Sequence, residues 1–569
     1  MKRDPGKLAT RDYDLLVVGG GIHGAFIAWD AALRGLEVAL IEQGDFGHAT
    51  SANSLKIVHG GLRYLRDGDL GLVRRMSRER LALLRIAPHL VRPLPCLMPT
   101  YQSLGTSRAL MAVALRLNDL IGHDRNRHGD LARHLPASRI MTRNEALSLA
   151  PGLRREGLTG GALWYDAQMY SPERLTLAVV RAAAGSGADV ANYLRADGLC
   201  LRGGRVVGVQ AHDLFADTTF ALRARLVVNA AGPWAGALLG PLAALKGLPF
   251  RLSTAMNLVT RQLVAATAVG VPSVPAVTAW GRGKSRMLFI TPWRGYSLIG
   301  TTHEPYDGHP DDDTIRAEEL ERFIDEVNRA YPAAALSRHD LLAVQRGLLP
   351  AEDTGRAERV KLLRRGYVYD HESEEGVAGL ITAVGVKYTT ARHVAEQVVD
   401  RALARLARPP RRCSTHETPV FGGRIERVDQ FIAQEGRRRP AGLAPEVVGQ
   451  LIHSYGSEYG RVVAYAGERG CLRAPLGPGA QAIGAEVVHA VREEMAHHLA
   501  DVVLRRVGVG SHAPMEVGSL RRCAEIMARE LGWSEGRREQ ELAHVRGSFD
   551  GVNDTLAARE VAVGAQPVM

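Results

Sequence analysis

The chain has 569 residues and an ordinary globular composition, 46% hydrophobic, and this length predicts two or three domains. Its 72 basic and 61 acidic residues give a net charge of +11, which indicates either an arginine-rich solvated surface or attraction to an anionic membrane or substrate. No nucleic-acid-binding motif accompanies this charge, so we expect no nucleic-acid partner.

Five scattered cysteines without a C-x-x-C pair argue against a zinc site or a disulfide framework. They favour a reducing cytoplasm, and we predict no metal site. The first residues lack a signal-peptide pattern, and no 18-residue run is apolar enough to span a membrane. We therefore expect a cytoplasmic protein, with peripheral contact at the inner face of the cell membrane as the alternative.

The first fifty residues contain a glycine-rich turn between a strand and a helix. The apolar run 13–18 reads as a strand, and Gly19, Gly21 and Gly24 follow it ahead of an alanine-rich helix. A second strand ends at Glu42, close to the ~20-residue offset of dinucleotide-binding folds. Such glycines let the backbone approach a pyrophosphate, while the acid can accept from a ribose hydroxyl. The pattern predicts a Rossmann-like domain and does not distinguish FAD from NAD.

The next segment, 47–65, begins with small and hydroxyl residues. It then brings Lys56, His59, two glycines, Arg63 and Tyr64 close together in sequence. Such a stretch can wrap around a planar cofactor and still present positive charge to a substrate. The alternative interpretation is a polar surface loop.

Residues 70–130 are predicted to be helical, with breaks at Pro88, Pro93 and Pro95. Within this region, 107–120 is amphipathic. Its apolar residues at helical steps are Leu110, Val113, Leu117 and Leu120, and it carries Arg108 and Arg116. Such a helix could lie on a membrane, but packing within the domain is the favoured interpretation.

Sheet elements are predicted over the following two hundred residues. Strands are expected over 160–166, 187–190, 199–209, 226–228, 258–264, 287–291 and 296–300, with helices over 172–185 and 314–330. The strand 226–228 leads into a Gly-Pro turn that suits the far wall of a nucleotide site, although an ordinary strand-to-helix turn is the alternative. A last strand, 379–383, is followed by a helix from 385 to about 406.

The C-terminal third is predicted to be helical, with amphipathic helices over 445–452, 486–505 and 520–531. In the second of these, one core-facing stripe is expected from Val488, Val491, Met495, Leu499 and Val502. The pairs Glu493/His497 and Glu494/His498 have the spacing of metal ligands, but a solvated helix face is the favoured interpretation.

Several motifs together resemble one family. Ala49 to Leu65 resembles the signature A-T-S-x-x-S-x-K-x-x-H-G-G-x-R-Y-L of the FAD-dependent glycerol-3-phosphate dehydrogenases, within the D-amino-acid-oxidase-type flavoproteins. Further runs resemble the family's N-A-x-G-P-W, F-x-x-P-W, I-G-T-T and G-G-K-x-T-T-x-R motifs, at 229–234, 289–293, 298–302 and 385–392. The C-terminal third resembles the helical domain appended to these enzymes.

The resemblance implies FAD as the cofactor. The residues that it implies as FAD contacts are Gly19, Gly21, Ile22, His23, Gly24, Glu42, Gln43, Ala49, Thr50, Ser51, Lys56, His59, Gly60, Gly61, Ala231, Gly232, Trp234, Gly385, Lys387, Tyr388 and Thr389. Glycines and hydroxyl residues dominate this set, as close backbone approach to a dinucleotide requires.

The resemblance also implies a reaction, the oxidation of sn-glycerol 3-phosphate, or a close anionic secondary alcohol, to glycerone phosphate. Hydride would pass to flavin N5, and electrons would then pass to a membrane quinone or to oxygen. The small phosphorylated substrate would be held by Arg63, Tyr64, Arg364 and Lys387, through charge-assisted hydrogen bonds. A homodimer is a possible assembly.

The chain departs from the family pattern at the reacting end. Asn257 stands where the family has its active-site His, Leu349 stands where it has a flavin-side Arg, and His303 stands where it often has Asp. The expected catalytic set is therefore His59, Asn257 and His303, with His59 ranked first as the base. Two alternatives remain open: a paralogue that oxidises another hydroxy acid or an amine, and a flavin-binding protein without dehydrogenase activity.

The predicted fold class is α/β and α+β, with a Rossmann-like FAD-binding domain, an interleaved sheet-based substrate domain and a C-terminal helical domain. The predicted divisions are FAD-binding segments 11–70, 160–250 and 375–406, substrate segments 71–159 and 251–374 within a region 1–406, a basic linker 407–412, a helical domain 413–549 and a flexible tail 550–569.

Overall fold

The computed structural model describes residues 1–102, 107–127, 130–240, 248–273, 277–278, 281–282, 286–312, 314–353 and 360–549. Its strands are β1 (Asp12–Val18), β2 (Val38–Ile41), β3 (Ile57–Val58), β4 (Val91–Tyr101), β5 (Arg139–Thr142), β6 (Leu158–Met169), β7 (Asp189–Ala191), β8 (Leu194–Arg202), β9 (Arg205–Asp213), β10 (Thr218–Asn229), β11 (Arg251–Thr260), β12 (Ala268–Pro272), β13 (Val277–Thr278), β14 (Gly281–Arg282), β15 (Met287–Trp293), β16 (Tyr296–Tyr306), β17 (Leu341–Ala351), β18 (Tyr367–Asp370) and β19 (Leu380–Val384). The predicted tail 550–569 lies outside the described residues.

Its helices are α1 (Pro5–Thr10), α2 (Ile22–Leu33), α3 (Leu70–Ile86), α4 (Arg108–Ile121), α5 (Arg143–Leu149), α6 (Pro172–Gly185), α7 (Ala235–Leu239), α8 (Ala317–Ala330), α9 (His371–Glu375), α10 (Ala391–Arg405), α11 (Val428–Arg438), α12 (Pro445–Tyr455), α13 (Tyr459–Glu468), α14 (Gly484–Glu494), α15 (Val517–Leu531) and α16 (Glu535–Gly547). Short 3-10 helices lie at Leu62–Asp67 and Tyr388–Thr390, and a π-helix lies at Asp501–Arg506. In the described part of the chain, no helix is both long enough and apolar enough to cross a lipid bilayer.

The first sheet is built on the predicted nucleotide-binding strands and has the order β18-β19-β10-β1-β2-β7. From β19 to β7 the strands run parallel, and their paired segments, such as 15–18 of β1 and 226–228 of β10, are apolar and buried. Helices α2, α6 and α10 pack together on one face, and a β8–β9 hairpin extends from β10. This arrangement confirms the predicted Rossmann-like region.

The second sheet has the order β17-β11-β16-β15-β12-β4-β6-β3, with β5 paired to β6. One face buries Met256 and Leu258 against α8. The opposite face buries Val259, Trp293 and Leu298 against the C-terminal helices. The second sheet is therefore held between α8 on one face and the C-terminal helices on the other.

The prediction of helices over 70–130, broken at the prolines, is wrong for 91–101, which forms strand β4. The strand pairs antiparallel with β6 over its full length, whereas its pairing with β12 is limited to Cys96 and Leu97. Pro93, Pro95 and Pro99 occupy alternate positions, so their missing N–H groups all fall on one edge of the strand. The other edge keeps its donors, and the prolines are tolerated.

Helix α4 confirms the predicted helix at 107–120 but not the face that we expected to pack. Met111 and Leu115 are buried against the second sheet. In contrast, Leu110, Val113 and Leu120 are 51%, 66% and 70% exposed. The helix therefore packs within the domain, as the favoured interpretation had it, but it does so through Met111 and Leu115, and Leu110, Val113 and Leu120 form an exposed apolar stripe on its outer side.

The predicted helix 486–505 is two elements. Helix α14 ends at Glu494, and Met495 adopts a left-handed backbone with φ 55°. The Asp501 carboxylate accepts from the backbone N–H groups of His497 and His498, both at 2.9 Å, which favours a turn over a continued helix. Glu493 and His497, and likewise Glu494 and His498, are therefore not one helical turn apart. Among the described residues, no cluster of acidic, histidine or cysteine residues has the arrangement of a metal site.

The basic linker 407–412 lies against the first sheet and its helices. The Arg408 guanidinium donates to Asp14 Oδ2 at 3.0 Å. Arg411 Nη1 donates to the Arg34 carbonyl at 3.1 Å, and Arg34 Nη1 donates back to the Arg411 carbonyl at 3.0 Å. The linker is thus a packed element that fixes the chain's entry into the C-terminal helices.

Candidate active site

The ends of four parallel strands bring the predicted cofactor residues to one edge of the first sheet. Val18 pairs with Ile41 on one side and with Asn229 on the other, and Asn229 pairs with Thr382. The loops that follow β1, β2, β10 and β19 therefore emerge side by side at the carboxyl edge. This is the edge at which open α/β sheets bind their ligands.

The turn after β1 forms a cradle that only glycines fit. Gly19 has φ +108°, and a Cβ on Gly24 would lie 1.9 Å from the Gly19 carbonyl oxygen. Gly21 caps α2 without a side-chain hydrogen bond, and the Ile22 N–H donates to Ser51 Oγ at 3.0 Å. The helix amino terminus therefore faces the segment 47–65, as an anion-binding turn requires.

Glu42 sits at the end of β2 with its carboxylate turned into the same edge. It accepts from the Gly20 N–H at 2.6 Å and from the Gly44 N–H at 2.8 Å, which fixes its orientation. Gln43 follows it and is half-buried. Each carboxylate oxygen keeps a further lone pair, which a ribose hydroxyl can use.

Residues from β10 and β19 form the remaining walls. A Cβ on Gly19 would approach Ala230 and Ala231, and after Gly232 the Trp234 ring lies 6.0 Å from the His48 ring. A Cβ on Gly385 would clash with the His23 ring at 1.9 Å. Burial lowers the pKa of His23 to about 4, so this imidazole is neutral near pH 7.

The segment 47–65 is fastened onto the second sheet. Thr50 Oγ1 donates to the Leu348 carbonyl at 3.0 Å, and Asn53 Nδ2 donates to the Arg346 carbonyl at 2.7 Å. A Cβ on Gly347 would lie 3.1 Å from the Thr50 backbone, so the approach depends on this glycine. Ala49 lies next to these contacts and is half-buried.

Two buried charges that the sequence reading missed hold the Gly60-Gly61 turn. Asp166 Oδ1 accepts from the Gly60 N–H at 2.6 Å and from the Arg80 guanidinium, while its Oδ2 accepts from Trp164 Nε1 at 3.0 Å. Gly61 then begins the 3-10 helix 62–67 with φ +88°. A single carboxylate inside an apolar strand was the available signal for Asp166.

Positive charge collects beside this turn. The Arg63 guanidinium donates to the Tyr64 hydroxyl and lies 4.7 Å from its ring centroid. Lys387 Nζ lies 5.4 Å from the same ring and donates to the Arg364 carbonyl. The Arg364 guanidinium itself faces Asp67 at 3.3 Å. The four predicted substrate residues are therefore neighbours, although they lie more than 300 positions apart in the chain.

Two of these cations have no acidic partner. Among the described residues, no carboxylate oxygen lies within 4.0 Å of Arg63 or Lys387. Burial and the charges of Arg63, Arg364 and Arg365 lower the pKa of Lys387 to about 7. Arg63 is exposed and Lys387 is half-buried, so an anion that binds between them would offset the repulsion that lowers this pKa.

The three expected catalytic residues lie on or near the second sheet. Asn257 is buried and uses both ends of its amide: Nδ2 donates to the Asn53 carbonyl at 3.1 Å, and Oδ1 accepts from Thr301 Oγ1 at 2.8 Å. His303 of β16 pairs with Ala255 of β11, which lies two residues before Asn257 on that strand. His59 follows β3, where burial and then Arg63, Lys387 and Arg80 lower its pKa well below 6.5. Leu349 is half-buried on β17.

Not every expected cofactor residue points its side chain at this edge. Lys56 is fully buried, with its ammonium donating to Gln345 Oε1 at 2.8 Å and lying 4.4 Å from the Trp293 ring centroid. Tyr388 turns its hydroxyl to the Pro172 carbonyl at 2.9 Å, and Thr389 is buried. These residues support the walls of the site and do not line it with their side chains.

The arrangement fits an extended dinucleotide with a planar ring. The cradle at Gly19 to Gly24 and the oriented Glu42 would hold the adenosine diphosphate part, and the glycine turns at 60–61 and 385 would admit the ring. FAD bound there supplies a two-electron acceptor next to the cations.

Comparisons with known proteins agree with this geometry. The model of the FAD dependent oxidoreductase family matches residues 14–401, and that of the C-terminal domain of alpha-glycerophosphate oxidase matches 413–538. The glycerol-3-phosphate dehydrogenase of Synechocystis is 32% identical over 93% of this chain and 95% of its own length. This chain belongs to the FAD-dependent glycerol-3-phosphate dehydrogenase family.

Other members of the family align over similar lengths. Glycerol-3-phosphate dehydrogenase 1 of Mycobacterium tuberculosis is 35% identical over 87% of this chain and 91% of its own. The crystal structure of the glycerol-3-phosphate dehydrogenase of Bacillus halodurans complexed with FAD matches 96% of both chains, with a TM-score of 0.74 and 26% identity. The chain is thus an oxidoreductase with FAD as cofactor, which confirms the predicted cofactor.

Proposed function

We propose that this chain oxidises the secondary hydroxyl of sn-glycerol 3-phosphate to give glycerone phosphate, with FAD as the two-electron acceptor. The observation that carries the proposal is the pair Arg63 and Lys387, which lie beside the FAD edge without a carboxylate partner among the described residues. A phosphate ester supplies the missing negative charge. Members of the family carry the same activity in their names.

The charge balance of the pocket favours a dianion over a monocarboxylate. Arg63 presents a planar donor set that matches phosphate oxygens, and Lys387 adds a second charge on the same side of Tyr64. The Arg364 guanidinium is partly neutralised by Asp67 at 3.3 Å. The main-chain carbonyl of Arg364 accepts from Lys387 and holds that side chain in place. Two unneutralised cations therefore meet the two charges of a phosphate ester.

Anaerobic mixing of the FAD-loaded enzyme with substrates tests the proposal. We expect glycerol 3-phosphate to bleach the flavin absorbance and to yield glycerone phosphate, whereas glycerol should not, because it lacks the anion. Lactate and 3-phosphoglycerate complete the panel as a short hydroxy acid and as a hydroxy acid that carries both a carboxylate and a phosphate. Full FAD content without bleaching by glycerol 3-phosphate would contradict the proposed substrate.

The charge argument has its own test in Arg63→Ala. Hydrogen bonds to a charged group contribute about 1.5–3 kcal/mol, so we expect kcat/KM for glycerol 3-phosphate to fall about 10- to 150-fold. Arg66→Ala is the matched control, because Arg66 is an exposed residue of the same 3-10 helix. Equal effects of the two variants would mean that the loss is one of general charge and not of a specific contact.

We further propose that the electrons leave to a membrane quinone and that α4 makes the membrane contact. Its exposed stripe of Leu110, Val113 and Leu120 lies next to Arg116, and the chain carries a net charge of +11. An apolar stripe with flanking arginines is the pattern of a helix that lies in the interface of an anionic bilayer.

Vesicle sedimentation tests this contact. We expect binding to vesicles with anionic lipid and much weaker binding to neutral vesicles. The triple change of Leu110, Val113 and Leu120 to Ser should release the protein, while Leu149→Ser, at another exposed leucine, should not. Oxygen uptake at the full reduction rate, without added quinone and without vesicle binding, would contradict this acceptor.

A second candidate is oxidation of another anionic hydroxy acid or an amine, and it is favoured by Asn257 and Leu349. Neither side chain carries charge, whereas the family pattern has a His and an Arg at these two positions. The same bleaching panel, extended by an amino acid such as glycine, separates the two functions. The paired change Asn257→His and Leu349→Arg should raise the rate on glycerol 3-phosphate only if these positions face the substrate.

A further inference from the structure

Oxidation of a hydroxyl requires a group that removes its proton, and Asn257 cannot serve. Its amide has no basic atom, and both of its polar ends already hold neighbours, the Asn53 carbonyl and the Thr301 hydroxyl. The proton acceptor must therefore stand elsewhere in the pocket.

The second sheet offers an imidazole close to this position. Antiparallel pairing puts Ala255 between His303 on one side and Gly347 on the other, so all three share one face of the sheet. Asn257 lies on the same face, two residues along β11, a spacing of roughly 7 Å. Because Gly347 and Ala255 have almost no side chain, His303 is the member of this row that can reach across it.

The segment 47–65 covers the cross-strand row of Gly300, Asn257 and Gln345. It covers only the Gly347 end of the row formed by His303, Ala255 and Gly347. Asn53 lies on Asn257, and a Cβ on Gly300 would lie 3.1 Å from Leu55. On the His303 row, Thr50 approaches Gly347. Arg63 is close enough that its charge, after burial and the charge of Arg286, helps to lower the pKa of the His303 imidazole. His303 therefore lies within electrostatic reach of the proposed phosphate site.

We propose that His303 accepts the hydroxyl proton of the substrate. This inference rests on the proposed function. The O–H bond breaks and its proton moves to an imidazole nitrogen. The electron pair of that bond becomes the second bond of the new carbonyl, and the carbon's hydrogen leaves with its own pair to the two-electron acceptor that FAD supplies.

The protonation state of His303 suits this role. Burial, the Arg286 charge and the Arg63 charge lower its pKa to about 4, partly opposed by the Thr254 backbone, so the ring is neutral near pH 7 and can accept a proton. Its Nδ1 is buried without a hydrogen-bond partner among the described residues. When a phosphate dianion binds at Arg63, it opposes that cation and raises the basicity of the ring.

His59 is the rival acceptor, and its surroundings oppose a positive charge more strongly. Three cations, Arg63, Lys387 and Arg80, lower its pKa after burial. Of the two cations whose charges lower the pKa of His303, Arg286 is ion-paired with Glu326 of α8 at 2.9 Å. An imidazolium at position 303 is therefore less disfavoured than one at position 59.

The decisive experiment compares His303→Gln with His59→Gln in the FAD-loaded full chain. For His303→Gln we expect unchanged FAD content, an unchanged dissociation constant for glycerone phosphate from flavin difference spectra, and a similar KM. The rate constant of flavin reduction should fall about 10²- to 10⁴-fold, as expected on loss of a general base. The residual rate should rise with pH, because hydroxide then takes the proton.

Proton uptake gives a readout that does not depend on turnover. Calorimetric titration with glycerone phosphate near pH 5.5, in buffers of different ionisation enthalpy, should show fewer protons taken up by His303→Gln than by the wild type or His59→Gln. The inference is overturned if His303→Gln reduces flavin within about threefold of the wild-type rate, or if His59→Gln carries the loss. It is also overturned if proton uptake is the same in all three proteins.

Failure of the proposed function remains distinguishable from failure of this inference. If glycerol 3-phosphate does not bleach the wild type but another substrate of the panel does, the proposed substrate is wrong and the same two variants are compared on that substrate. If no member of the panel bleaches a fully loaded wild type, both proposals are overturned.

Discussion

Two regions of this molecule concentrate arginine, and they treat its charge in opposite ways. Between the FAD-binding region and the C-terminal helices, the buried Glu494 carboxylate accepts from Arg174 at 2.7 Å and from Arg181 at 2.8 Å. In the pocket beside the first sheet, Arg63 and Lys387 have no carboxylate within 4.0 Å among the described residues. The first set is complete within the chain, and the second is not.

The same contrast extends along the domain interface. Buried Asp45 accepts from Arg505 at 2.6 Å and from both terminal nitrogens of Arg506 at 2.6 and 2.7 Å. Removing a buried ion from water is costly unless paired charges and hydrogen bonds offset the loss. Arginines that are offset in this way are structural, whereas the exposed Arg63 and the half-buried Lys387 keep their charge available to a ligand.

Glu494→Gln should break the structural side of this contrast with the largest effect. Arg174 would remain buried without a counter-ion, while Arg181 would keep only Glu493 at 3.2 Å. Loss of one partner from a buried pair costs about 3–5 kcal/mol. Urea unfolding of the FAD-loaded protein measures the change. Glu535→Gln is the control, since Glu535 forms only an exposed pair with Arg538. An equally small effect of both changes would contradict the assignment of Glu494 as structural.

The pH dependence of stability gives the same variant a second test. Burial opposes ionisation of Glu494, but the charges of Arg174, His489 and Arg181 hold the pKa of its carboxyl well below its usual range. A carboxyl whose pKa is depressed by folding stabilises the protein above its unfolded pKa, and the contribution is lost as the pH falls toward the folded value. We expect the wild type to lose this stability below about pH 4.5, and Glu494→Gln to lose less.

Lys387→Met breaks the functional side, and we expect a smaller free-energy effect. The loss of one charged contact to the phosphate should lower kcat/KM about 10- to 150-fold at pH 6. Because the pKa of Lys387 is lowered to about 7, the wild-type kcat/KM should also decline as the pH rises above 7 and the ammonium loses its proton. The variant should lack that decline.

Lys361→Met is the control for this change, because Lys361 is an exposed lysine paired with Glu352. Stability should separate the two sides of the contrast: Lys387→Met removes a cation that opposes Arg63, so its unfolding free energy should not decrease. A large loss of stability in Lys387→Met would place Lys387 among the structural charges.

The fold was predictable wherever the signal is local. The strand, glycine turn, helix and second strand up to Glu42 form as expected, because close packing and the φ of Gly19 depend on neighbouring residues. The errors arise where a distant contact decides. The strand β4 is possible despite its prolines only because β6 pairs along its other edge. Helix α14 stops where Asp501, from the next element, takes two backbone donors.

The site was predictable as a set of residues but not as a set of roles. Arg63, Tyr64 and Lys387 were expected to meet and do so. In contrast, Lys56 was expected at the cofactor, but its ammonium lies with Gln345, which donates to the Ser511 carbonyl at 3.2 Å. No spacing in the sequence reports such a contact, because its members come from three separate segments of the chain.

Gly347→Ala should give the smallest effect and should sharpen the contrast at its boundary. A Cβ there would lie 3.1 Å from the Thr50 backbone, so the segment 47–65 must move by a few tenths of an ångström. We expect overpacking to lower the free energy of unfolding by about 1–3 kcal/mol. We also expect weaker FAD binding, seen as a larger FAD dissociation constant measured by flavin fluorescence. Gly460→Ala is the control, because a Cβ at this position of α13 meets open space. There, alanine replaces glycine, which is a poor helix former. If FAD affinity falls while the pH dependence of urea unfolding stays that of the wild type, the segment that carries Arg63 shifts independently of the paired charges at the domain interface.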